Sequence, residues 1–167
     1  MATTTNSTTF QPAFKRVAQQ GRHDDTFAAI AILTGKTLDS IMRQAETMGL
    51  PTIGPFHSYI DGDLIARICA AHGLVCTVWK ECTKGGYTEV PEVAIAMVSY
   101  DADWEVGRCV VYHRNTASDG KTSQPYVVDP YPHTDSRLHL RIGTAALAEL
   151  PPAWFIGVTQ MNKAAAK

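Results

Sequence analysis

Hydrophobic positions follow two regimes along the chain. Up to Gly73 they recur at helical spacing, and from Leu74 onward they come in short runs of strand length. The densest helical stretch is Phe27, Ala28, Ile30, Ala31, Ile32 and Leu33, which leaves no polar face wide enough for solvent and predicts a buried helix. Arg22-His23-Asp24-Asp25 precedes it, so Asp24 or Asp25 is placed to cap the free N–H groups and meet the positive end of the helix dipole. Thr34-Gly35 ends this helix. Thr37 opens a second one over Leu38 to Met48, with Leu38, Ile41, Met42 and Ala45 as its apolar stripe and Gly49 as its stop. After a breaker-rich loop from Pro51 to His57, Asp61 begins a third helix carrying Leu64, Ile65, Ile68 and Cys69. His72, before Gly73, suits the negative end of that helix and needs no ligand to explain it.

The later runs predict strands at Leu74 to Trp79, Val93 to Tyr100, Arg108 to His113, Tyr126 to Val128 and Trp154 to Thr159, with a short helix from Thr144 to Leu150. A polar hairpin between Arg114 and Gln124 carries Asp119-Gly120 as its turn signal. Helices first and strands afterwards give an α+β domain over residues 10–161. The threonine-rich start, residues 1–9, and residues 162–167 have too little to bury and read as a disordered arm and tail.

Composition narrows the function classes. A chain of 167 residues can bury roughly 70% of its unfolded surface as one domain. The net charge is −1 with 19% charged residues, and no basic run is interleaved with aromatics, which removes the usual basis for nucleic-acid binding. No apolar run approaches the roughly 20 residues of a membrane span, and the chain lacks a signal-peptide pattern, so the expected location is the cytoplasm. Cys69, Cys76, Cys82 and Cys109 have neither paired metal spacing nor the density of a disulfide framework. Cys69 and Cys109 read as core thiols, and Trp79, Trp104 and Trp154 as core or sheet-face residues.

The stretch Gln19 to Leu33 resembles the nucleophile segment of papain-like cysteine peptidases, most closely the bacteriocin-processing (double-glycine leader) branch. In that branch a glutamine lies six residues before the cysteine, an acidic residue often directly precedes it, and an alanine-rich helix follows. Gln19, Asp24 and Ala28 to Ile32 match these features, and Asp25 stands where the cysteine belongs. The family's histidine opens a strand reading His-aromatic-Val-Val-aliphatic, and its orienting acid precedes a proline one hairpin later. Here the strand reads Arg108-Cys109-Val110-Val111-Tyr112 and the acid is Asp129, before Pro130. The resemblance covers roughly residues 15 to 135 and implies a papain-like fold with helices packed on an antiparallel sheet. It keeps Gln19 and Asp129 and replaces both nucleophile and base.

Acyl transfer by this route needs a thiolate and an imidazole to shuttle its proton. With Asp25 and Arg108 in those places, the resemblance implies a degenerate site at Gln19, Asp25, Arg108 and Asp129, without cofactor, that binds a protein or peptide partner. Opposite charges at 25 and 108 predict an ion pair across the old cleft. Two independent replacements also favour a naturally degenerate site over a single engineered aspartate. Alternation places His113 and Cys109 on the face of their strand opposite Arg108, and His113 away from Asp25. The competing reading is an active hydrolase built on His23, Asp25 and Asp129. Metal assistance would draw on His23, Asp24, Asp25, Asp129, His133 and Asp135, although their spacing matches no metal motif.

Overall fold

The computed structural model describes residues 10–116, 123–132 and 135–161. The expected arm, the tail, the Asp119-Gly120 turn and His133 lie outside the described residues. Three helices come first: α1 (Asp25–Thr34), α2 (Leu38–Thr47) and α3 (Gly62–Ala71). Seven strands follow, β1 (Leu74–Cys76), β2 (Lys80–Glu81), β3 (Val93–Asp101), β4 (Val106–Thr116), β5 (Ser123–Val128), β6 (Leu140–Ile142) and β7 (Pro152–Gln160). The short helix α4 (Thr144–Ala148) lies between β6 and β7. The strands form one antiparallel sheet in the order β1-β7-β3-β4-β5-β6, and β2 pairs with β7 as well.

The helix boundaries follow their local chemistry. Gly35 takes φ 67°, the left-handed conformation that lets its N–H close the end of α1 on the Ala31 carbonyl. Thr37 accepts from the Ser40 N–H and Asp61 from the Leu64 N–H, which fixes where α2 and α3 begin. The His72 ring bonds the Gln44 side chain of α2 at 2.7 Å and so ties two helix ends together. Residues Thr26 to Ile32 of α1 are all buried, because the helix is enclosed between α2, α3 and the sheet.

Both faces of the sheet are covered. Cys109, Val111, Tyr126, Val128, Ile95 and Ile156 pack with α1, α2 and α3 on one face. Ala94, Ala96, Val110, Tyr112 and Val127 pack with Leu147 and Leu150 on the other. Strands buried on both faces read as continuous apolar runs rather than alternating ones.

Several expectations about elements are corrected. The predicted strand from Leu74 to Trp79 is cut short: its regular ladder with β7 ends at Cys76, Thr77 still bonds Gly157, and the ladder resumes only at Lys80. The three-residue edge strand β6 was not legible, because it is defined by pairing with β5 and not by an apolar run. Trp104, expected in the core or on a sheet face, is 77% exposed in the turn between β3 and β4. That turn is held by the Asp101 carboxylate, which accepts the Asp103 and Trp104 N–H groups.

Candidate functional site

The N-terminus of α1 meets the sheet where the β4–β5 ladder stops. The last pair of that ladder is Val111 with Val128, so the Cys109 N–H lies beyond it. The Asp25 carboxylate takes this N–H at 2.6 Å. Burial pushes the Asp25 carboxyl up from its ordinary value, and the hydrogen bond from the Cys109 amide opposes that rise. Asp25 thus joins α1 to β4 through the main chain.

Neither aspartate caps α1 as expected. The side chain of Asp24 makes no capping bond. Its Oδ2 turns back to accept the Gln20 N–H at 3.1 Å and the Gly21 N–H at 2.8 Å, shaping the turn that leads into the helix. Gln19 lies in the same turn, where its Nε2 donates to the Gly21 carbonyl and its N–H to the Pro130 carbonyl. The second bond joins this turn to the chain leaving β5.

The expected Asp25–Arg108 ion pair is corrected. Arg108 pairs with Asp129 instead, with Nη1 at 2.6 Å from both carboxylate oxygens. The pleat is the reason. Cys109 and Val111 face α1, so Arg108 belongs with Val110 and Tyr112 on the other face, which Asp129 shares with Val127. The expectation that His113 sits opposite Arg108 therefore agrees with the sheet, but the face toward α1 is that of Cys109 and not that of Arg108. Asp129 is completely buried. Its Oδ1 also accepts the Tyr131 N–H at 2.9 Å, and the Tyr131 ring lies 5.3 Å from the guanidinium carbon of Arg108.

Arg16 was missed. Its Nε donates to the Asp129 carbonyl at 2.6 Å, and its Nη2 donates to the Pro130 carbonyl at 3.4 Å and the Tyr131 carbonyl at 2.9 Å. One guanidinium thereby holds three successive carbonyls of the turn that presents Asp129. The two partners are 113 positions apart in sequence, and no local pattern announces such a contact.

The competing constellations are not assembled among the described residues. The His23 ring packs at 5.0 Å from that of His57 and makes no hydrogen bond to Asp25. Asp24 serves the entry turn and Asp129 serves Arg108. Asp135 accepts from the Arg137 side chain and N–H in its own short turn. No group of three or more His, Cys, Asp or Glu side chains among the described residues is arranged to hold a metal ion. Cys109 is buried against Thr26, and burial raises its thiol pKa, so it stays protonated.

Gln19, Asp25, Arg108 and Asp129 therefore form one linked neighbourhood, through Gln19–Pro130, Asp25–Cys109 and Arg108–Asp129. The neighbourhood lies where the N-terminus of a buried helix meets the edge of the β4–β5 ladder. Solved structures share the fold. The structure described as a double glycine motif protease from an AMS/PCAT transporter in complex with the leader peptide matches with a TM-score of 0.53 at 9% identity, covering 89% of this chain and 92% of that one. The peptidase domain of Streptococcus ComA, described as a bi-functional ABC transporter, matches with a TM-score of 0.53 at 12% identity, covering 88% and 98%. No protein-family model matches the sequence, and a search of the curated proteins finds no match. The chain has the papain-like fold of double-glycine peptidase domains.

Proposed function

We propose that this domain is a papain-like pseudo-peptidase, catalytically inactive, that acts by binding a peptide or protein terminus. One observation carries the reading. The residue at the head of the buried helix is an aspartate committed to a main-chain N–H, and the arginine that the resemblance aligns with the family's histidine is committed to a buried carboxylate. Neither pair moves a proton between a nucleophile and a base, which acyl transfer requires. The first joins the helix N-terminus to β4 and the second joins β4 to the end of β5, so the framework of the site is held without its chemistry. That a neighbour of the same fold is described in complex with a leader peptide supports an extended peptide as the ligand class.

The proposed setting is the cytoplasm. Four cysteines without a disulfide support a reducing compartment. Among the described residues no helix is long and apolar enough to cross a membrane.

The test is a peptide panel containing double-glycine and control sequences, read in parallel for binding by titration calorimetry and for cleavage by mass spectrometry. Binding without cleavage is the expected result. Turnover that Asp25→Ala abolishes would establish the active hydrolase instead, and turnover lost on adding a chelator would point to the loop carboxylates. Co-purification from the native host would then identify the natural partner.

A further inference from the structure

Residues 10–20 cross the helix-bearing face of the sheet as a strap without regular secondary structure. Its two ends are tied to different features. At one end the Ala13 N–H donates to the Tyr126 hydroxyl at 2.9 Å, Phe10 packs edge-on to Tyr126, and Phe14 packs edge-on to His113. At the other end Arg16 and the Gln19 N–H hold the carbonyls of the Asp129–Pro130–Tyr131 turn. The segment anchored at Tyr126 and His113 is thus the one that positions Asp129 for Arg108.

The anchor is a hydrogen-bond relay with a defined direction. The Tyr126 oxygen accepts from Ala13 and lies 2.8 Å from His113 Nδ1. With the ring neutral and its proton on Nε2, the hydroxyl donates to Nδ1, and each polar atom of the relay then has one partner. A second proton, on Nδ1, would face an oxygen that already accepts one N–H, and the hydroxyl proton would lose its partner. Around the ring, the strap presents Phe14, β5 presents Tyr126, α1 presents Leu33 and the residue before β3 is Glu92. Glu92 is the one charged side chain among these neighbours. Thr159 of β7 closes the same cavity of about 610 Å³, which His113 lines.

We propose that His113, Tyr126 and the strap form a pH-sensitive latch on the Asp129 turn. Protonating His113 loosens the Ala13 anchor and, through the strap, the grip of Arg16 on residues 129–131. Arg16 is on this view a positioning residue for the candidate site. Burial holds the His113 pKa below its ordinary value, and Glu92 pulls it partly back, so the latch stays closed at neutral pH and opens on acidification. The link to ligand binding rests on the proposed function, but the latch itself does not.

Amide hydrogen exchange of the full chain between pH 8 and pH 5, corrected for intrinsic exchange and read beside an NMR titration of the His113 ring, tests it. In the unaltered protein, protection of the Ala13 and Gln19 amides should fall about tenfold with the midpoint of the His113 titration, the loss of roughly one hydrogen bond. His113→Asn, which keeps an acceptor near the Nδ1 position but does not titrate, should flatten that dependence. Tyr126→Phe should leave Ala13 poorly protected at every pH. Protection that stays constant while His113 titrates overturns the latch, and so does an equal fall in His113→Asn. A latch that opens on schedule in a protein that binds no peptide would sink the proposed function and leave the latch standing.

Discussion

Arg108 Nη1 lies 2.6 Å from both carboxylate oxygens of Asp129, and only one of the two residues keeps contact with solvent: the Arg108 side chain is 19% exposed and that of Asp129 is 0% exposed. A buried charge with a half-buried partner makes the two losses unequal. Arg108→Ala removes the guanidinium from a buried carboxylate that keeps the Tyr131 N–H, and should cost up to about 3–5 kcal/mol. Asp129→Ala leaves a guanidinium that can turn toward water and should cost less. Urea unfolding of both single variants and the double variant should give a double loss clearly smaller than the sum, and strict additivity would mean that the pair contributes nothing to stability.

Asp25 predicts an unusual pH dependence. Its carboxyl pKa is raised in the folded state, so the protonated form is favoured by folding. The stability it contributes is then fully present below the unfolded carboxylate pKa and is lost as pH rises through the folded value. Asp25→Asn keeps an oxygen for the Cys109 N–H and removes the charge. It should be more stable than the unaltered protein at pH 7, with the difference shrinking toward pH 4. Thermal unfolding across that range checks the sign, and a deficit for Asp25→Asn at neutral pH would contradict it.

A cysteine introduced at position 25 should separate thiol reactivity from catalysis. A cysteine in place of Asp25 would sit at the positive end of α1, where thiolates are favoured. Asp25→Cys should therefore be alkylated at position 25 by iodoacetamide faster than buried Cys69 or Cys109, as read by peptide mass spectrometry. It should still fail to cleave peptides, because Arg108 cannot act as a base at neutral pH. Cleavage by the single variant would show that another residue supplies the base.

Gly107 precedes Arg108 where β3 and β4 shift register. A Cβ there would lie 2.6 Å from Met97 Cγ and 2.9 Å from the Val98 carbonyl oxygen. The methionine can move, but the main chain resists. Gly107→Ala should destabilise the domain by about 1–3 kcal/mol and perturb the Arg108–Asp129 pair, visible as a shifted Arg108 side-chain resonance.

The sequence by itself determined the local elements and the identity of the linked positions. Helix starts and stops at Thr37, Asp61 and Gly35 are written in side chains that act on neighbouring amides, and those interactions need no tertiary context. The continuous apolar run of α1 announced a buried helix for the same reason. The resemblance also singled out Gln19, Asp25, Arg108 and Asp129, and the structure links these positions through Gln19–Pro130, Asp25–Cys109 and Arg108–Asp129.

What each charged group does when it arrives was decided by the tertiary structure. Charge alone paired Asp25 with Arg108, whereas the pleat sends Arg108 toward Asp129 and the end of the β4–β5 ladder offers Asp25 an amide. Arg16 and the Tyr126–His113 anchor were invisible for a related reason. Their partners are separated by 113 residues, or by a hairpin whose register only the assembled sheet fixes, and no local propensity encodes such distances.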